Sequence, residues 1–170
     1  MIKFIICIFI ISGCSAAGLI KASAFGARTK ELENILEVIK LLQIEIGYRK
    51  EPLQKIFSKL YSIKSCWFTE VLNVCSINLT NTTNLNEAWH NALNCKMNVC
   101  PLEKEDIVIL EDLSLGLGKS DTEGQLNLIK PAIERLDGSL KDSQDKEIKL
   151  GRMYRGLGIS MGIVIVILFI

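Results

Sequence analysis

Histidine and net charge are both scarce in this chain, and each shortage excludes something. His90 is the single histidine in 170 residues. With Cys95 and Cys100 it could hint at a metal, but spacings of five do not keep ligands on one helical face. A surface histidine beside Trp89 is the better reading. No Ser/His/Asp or Cys/His set can be assembled, so no enzyme is expected, and no cofactor, metal or small-molecule substrate. The formal net charge of +1 lacks the basic excess with which general nucleic-acid binders neutralise phosphates. None of the six cysteines forms a C-x-x-C pair, so a zinc site has little support. No strand-like alternation and no internal repeat is present.

What is there begins with two apolar ends. Residues Phe4 to Ile20 carry no charge, with Lys3 before them and Lys21 after. At about 1.5 Å per residue this run is short but usable for a bilayer core of about 30 Å, provided that Lys21 snorkels. Gly156 to Ile170 is also free of charge, and Lys146, Lys149, Arg152 and Arg155 lead into it. Transmembrane helices are therefore expected over residues 2–22 and 154–170, with a helical domain over 25–152. Lys21, Arg28 and Lys30 match the second basic cluster, so the middle faces the cytoplasm and both termini lie outside. Gly158 and Gly162 have the spacing that lets helices approach closely in lipid. Small residues are also simply common in membrane helices.

A rival reading starts from Ile11-Ser-Gly-Cys14, which fits the small-residue pattern before a lipid-modified cysteine. It would make the chain a lipid-anchored, extracytoplasmic helical protein. The basic flanks then fall on the wrong side. The same choice governs Cys66, Cys75, Cys95 and Cys100: two disulfides if exported, buried reduced thiols if cytoplasmic. The two N-x-T triplets near Asn78 and Asn81 read as loop composition.

The middle reads as six helices. Leu32, Ile35, Leu36, Ile39, Leu42 and Ile46 form one apolar stripe, with Glu31, Glu33, Glu37 and Lys40 mostly outside it. Pro52 opens a second helix carrying Ile56, Phe57 and Leu60. A third spans about Ser65 to Leu79. Asn84, with Glu87 three residues on, caps a fourth that carries Ala88, Trp89, Ala92 and Leu93. Pro101 fits the first turn of a fifth, through Ile107, Leu110 and Leu113. The sixth carries Leu126, Ile129, Ile133, Leu136 and Leu140 on one seam, with Pro131 opposite it and expected to bend the helix. Between the fifth and sixth lies Leu113 to Gln125. Its Gly118-Lys119-Ser120 resembles the tail of a phosphate loop, but Leu113 stands where the first glycine is needed. A helix stop at Gly116 and Gly118, followed by a Ser120 cap with Glu123, accounts for it better. Glu103, Glu105, Asp106, Glu111 and Asp112 form an acidic run. It suits a helix N-terminus and a solvated face, and could alternatively meet a basic partner.

Four blocks, in order, resemble the stage III sporulation protein AB family. They are Leu41-Leu-Gln-Ile-Glu-Ile-Gly-Tyr with Glu51-Pro-Leu; Ala88-Trp89 with Leu93; Leu115-Gly-Leu-Gly-Lys-Ser-Asp with Gln125; and Tyr154-Arg-Gly-Leu-Gly with the closing apolar run. The resemblance covers nearly the whole chain. It implies an all-α fold, a six-helix antiparallel bundle between N- and C-terminal transmembrane helices, similar to the cytoplasmic domain of the platform protein of type II secretion. It further implies a place in the mother-cell membrane, inside a channel complex linking mother cell and forespore. Other stage III A sporulation proteins, including a secretion-type ATPase, are the implied partners. Glu45 and Tyr48 of the first block, with Glu103, Glu105 and Asp106 of the acidic run, are the candidate partner-binding residues.

Overall fold

The computed structural model describes residues 2–49, 51–82, 84–119 and 121–169, with backbone alone for residues 2–11, 49, 159 and 168–169. Its described residues form six α-helices and one 3-10 turn, with no strand. They are α1 (Ile2–Arg49), α2 (Leu53–Ile63), α3 (Trp67–Asn78), α4 (Leu85–Lys96), the turn Met97–Val99, α5 (Lys104–Gly116) and α6 (Thr122–Phe169). Two compact units are present: residues 30–140, and residues 1–29 with 141–170. The long helices α1 and α6 run unbroken past the boundaries expected near residues 22 and 152.

Residues 30–140 form the helical bundle. The stripe read on α1 is its spine, since Leu32, Ile35, Leu36, Ile39, Leu42 and Ile46 are all buried. Against it pack Ile56, Phe57 and Leu60 of α2, Phe68, Val71 and Leu72 of α3, and Ile107, Leu110 and Leu113 of α5. At the centre stands Trp89 of α4, 0% exposed. Phe57 and Phe68 meet it edge to face, at centroid distances of 5.8 Å and 6.0 Å, the arrangement that the ring quadrupoles favour. The seam of α6 turns inward as expected, with Ile129 and Leu136 buried, and Pro131 is exposed inside the helix.

Several ends differ from expectation, each for a local reason. The α5 helix starts at Lys104, not at Pro101, because Glu103 and Asp106 close a capping box there. Glu103 N–H donates to Asp106 Oδ2 at 3.0 Å. Asn84 does cap α4, accepting from Asn86 N–H at 3.1 Å. Its own N–H donates to the Thr82 hydroxyl at 3.2 Å, not to Glu87. Ser120 lies outside the described residues; the cap seen on α6 is Asp121, whose Oδ1 accepts from Gly124 N–H at 3.0 Å. Glu31 is the larger correction. It is buried, and its carboxylate accepts from Phe68 N–H at 3.1 Å and from Asn34 Nδ2 at 3.2 Å. Cys66, the N-cap residue of α3, is a weak partner for those first amides, so α1 supplies an anion to that helix end.

Residues 1–29 and 141–170 form the second unit, a pair of antiparallel helix segments. Here packing is backbone against backbone: a Cβ at Gly18 would lie 2.7 Å from the Tyr154 carbonyl oxygen, and one at Gly158 2.9 Å from that of Cys14. Gly158 therefore serves an approach to α1 of the same chain. Phe25 stacks on Tyr154 at 5.9 Å, Arg28 pairs with Asp142 at 3.6 Å, and the Thr29 and Ser143 hydroxyls bond at 3.0 Å. Among the described residues, α6 alone is long and apolar enough to cross a membrane. The side chains of residues 2–11, which carry much of the first expected span, lie outside the description.

Candidate functional site

Three turns meet at one end of the bundle: α1 to α2, α3 to α4, and α5 to α6. Each is fixed locally. Pro52 is the N-cap of α2, with its carbonyl accepting from Lys55 N–H at 2.9 Å. Asn84 starts α4, as above. Gly118 takes φ +77°, the one positive φ among the described glycines. Only glycine enters that region without strain. A Cβ there would also stand 3.3 Å from Leu53 and 3.4 Å from Leu85. Gly116 has a different task. It ends α5 without a positive φ, and its missing Cβ makes room for the Leu128 side chain.

The three turns enclose an open cleft of about 440 Å³. Leu53, Leu79 and Leu85 supply apolar surface; Glu51, Gln54, Thr82 and Gln125 supply polar surface; Gly118 brings backbone to the wall. Such a mixture offers both apolar surface and hydrogen-bonding groups. A second cleft of about 360 Å³ lies between α4 and α5. Its charges are partly engaged: His90 Nδ1 faces Glu111 Oε1 at 3.6 Å, and Arg135 bonds Asp112 at 2.7 Å.

The five candidate partner residues fall into two groups. Tyr48, near the cleft end of α1, is 87% exposed. Glu45, one turn earlier, bonds Lys59 Nζ at 2.6 Å. Glu103, Glu105 and Asp106 stand at the opposite end of α5, about 20 Å away for a 13-residue helix. Asp106 has no exposed surface and is committed to the helix cap, while Glu105 is exposed. Gln54, Thr82 and Leu79 were not singled out from the sequence. No stretch of sequence signals them, since Glu51-Pro-Leu, Gly118 and Gln125 belong to separate blocks that only the fold brings to one cleft.

The phosphate-loop resemblance dissolves in the structure. With the Asn86 amide turned so that its nitrogen donates to Ser114 O at 2.6 Å, its oxygen accepts from Lys119 Nζ at 3.0 Å. Lys119 thus ties α4 to the α5–α6 turn. His90 is exposed as expected. Among the described residues no three His, Cys, Asp or Glu side chains are grouped to hold a metal. Cys14, Cys66, Cys75, Cys95 and Cys100 are free thiols. Cys75 is buried and its thiol is pushed up to about 12 by that burial. Burial likewise raises Cys66 and Cys100. Cys95, expected among the buried thiols, is exposed instead.

Comparison with known proteins places this geometry. A family model described as stage III sporulation protein AB matches residues 3–170. Stage III sporulation protein AB of Bacillus subtilis (strain 168) is 23% identical over 172 residues, covering 99% of each chain. A solved structure of stage III sporulation protein AB superposes with a TM-score of 0.67 at 20% identity, over 72% of this chain and 98% of that one.

Proposed function

The chain belongs to the family of stage III sporulation protein AB, and we propose that it serves the sporulation stage III machinery as a non-enzymatic membrane platform. In this reading both ends cross the mother-cell membrane and the bundle stands in the cytoplasm. The bundle docks a secretion-type ATPase and other stage III A proteins of a secretion-like channel complex linking mother cell and forespore. Family membership supports the role in stage III. The apolar length of α6 and the basic residues Lys146, Lys149, Arg152 and Arg155 before its uncharged end support the membrane placement, since basic flanks stay on the cytoplasmic side.

The observation that carries the docking reading is the three-turn cleft. It gathers Glu51, Pro52, Leu53, Gly118 and Gln125 from distant stretches of sequence into one open surface, and the exposed Tyr48 stands three residues before Glu51 in the chain. Exposed aromatics next to a mixed cleft are the residue type on which interface energy concentrates. Co-purification of the full-length protein with the ATPase from sporulating-cell membranes tests this. Tyr48→Ala and Glu51→Arg should each cut the ATPase recovered at least about tenfold, equivalent to ~1.4 kcal/mol or more. Both variants should keep wild-type helicity. Undiminished recovery with the two combined sinks the cleft as the docking surface.

A further inference from the structure

We propose that the trough between the two apolar segments binds an anionic phospholipid. The proposal rests on the membrane reading above. Gly18 and Gly158 bring the two helices into backbone contact, and beside that crossing lies an open trough of about 380 Å³. Cys14, Ala17, Leu157 and Met161 supply its apolar wall, while Lys21 and Tyr154 share one end of it. The helices are antiparallel, so the last trough residue on α1 and the first on α6 stand together. Phe25 stacks on the Tyr154 ring at 5.9 Å with an interplanar angle of 25°, which holds the phenol at that end.

The chemistry of this layout is that of a lipid with a negative headgroup. An acyl chain matches an open trough whose wall is hydrocarbon, thiol and thioether. An ammonium and a phenol O–H at one end are both donors to a phosphate. None of the residues lining the trough is acidic, so Lys21 has no carboxylate there to answer its charge. Amphipathic Lys and Tyr side chains sit at the level of headgroups. A third transmembrane helix could cover the same wall, but it would leave the Lys21 charge to be matched by something else. A lipid phosphate supplies the chain and the charge together.

The test uses the full chain in membranes. Alkaline carbonate washing comes first; a chain released by it is not integral, and both the membrane reading and the lipid site fall. The retained chain is then moved to mild detergent with equimolar phosphatidylglycerol and phosphatidylcholine of identical acyl chains, and read by native mass spectrometry. One phosphatidylglycerol per chain should be held, with about fivefold preference over phosphatidylcholine, the scale of one basic residue at an anionic surface. Lys21→Gln should abolish the preference yet keep a bound lipid. Ala17→Phe and Cys14→Phe, which fill the trough, should each lose the lipid. Equal occupancy by the two lipids, or a preference that survives Lys21→Gln, overturns the site while leaving the membrane reading intact. So does a photo-crosslinker at Leu157 that captures a polypeptide in cells and no lipid.

Discussion

Residues 30–140 and the pair of segments 1–29 and 141–170 are both purely helical among the described residues, yet they hold together by opposite means. The bundle interdigitates large side chains around Trp89, Phe57 and Phe68. The paired segments instead bring backbone onto backbone at Gly18 and Gly158, and add a hydroxyl pair, Thr29–Ser143. The contrast fits the proposed placement, with the bundle in water and the paired segments in lipid. In water, burying apolar surface drives packing and large residues contribute most. In lipid, hydrocarbon outside is as apolar as hydrocarbon inside, so close approach through small residues takes over. The bundle should therefore be most sensitive to loss of a large side chain, and the paired segments to enlargement of a small one.

Trp89→Ala is the largest test of that contrast. It empties the centre of the bundle and should cost ~3–5 kcal/mol, read by denaturant or thermal melting of the full chain. A cost under ~1 kcal/mol would mean that the core is not organised around this ring. Trp89→Phe keeps an aromatic ring against Phe57 and Phe68, and should cost under ~1.5 kcal/mol.

Gly118→Val is next, at ~2 kcal/mol, because a β-branched residue is forced to a positive φ beside Leu53 and Leu85. A fully stable, assembling Gly118→Val variant would contradict the turn as described. Gly116→Ala should be within ~1 kcal/mol of neutral, because its Cβ meets only the exposed side chain of Leu128, which can turn away, and alanine is the better helix former.

Gly18→Leu with Gly158→Leu probes the other unit. Disulfide trapping between Ala17→Cys and Leu157→Cys should be lost, while the bundle melting shifts by less than ~0.5 kcal/mol. If both respond together, the energetic separation of the units is wrong. The smallest effect is one of thiol reactivity. At pH 8 to 9, Cys95 should alkylate first and Cys66 and Cys100 more slowly. Cys75, pushed up to about 12, stays protonated and should label only on unfolding, since the thiolate is the nucleophile.

Much of the bundle was legible because helical periodicity is written in apolar residues. The α1 stripe from Leu32 to Ile46 and the α6 seam were read correctly for that reason. What the pattern hides is where a polar side chain reaches. Glu31 looked like a solvated neighbour of the stripe and is a buried cap on α3. Asp106 looked like part of an acidic surface and closes its own helix start. Glu31 depends on an amide of another helix, which no local window contains, whereas the Glu103–Asp106 box is local but starts from a residue outside the usual N-cap set. Pro101 misled for a related reason: proline suits a first turn, but the Glu103–Asp106 box fixed the start. The cleft was only half visible. Its family blocks could be named, but that they converge is a property of helix order and crossing, not of any one stretch.

The position of α4 has a consequence in time. Trp89 is held from two sides by rings of other helices, Phe57 of α2 and Phe68 of α3. Amides near it, at Ala88, Ala92 and Leu93, should therefore exchange with deuterium only when the whole bundle opens. The turn Met97–Val99, with Val99 70% exposed, can flicker open alone. The shortest-lived and longest-lived hydrogen bonds of the bundle then lie within a dozen residues of each other, and the chain passes from one to the other in the last turn of α4.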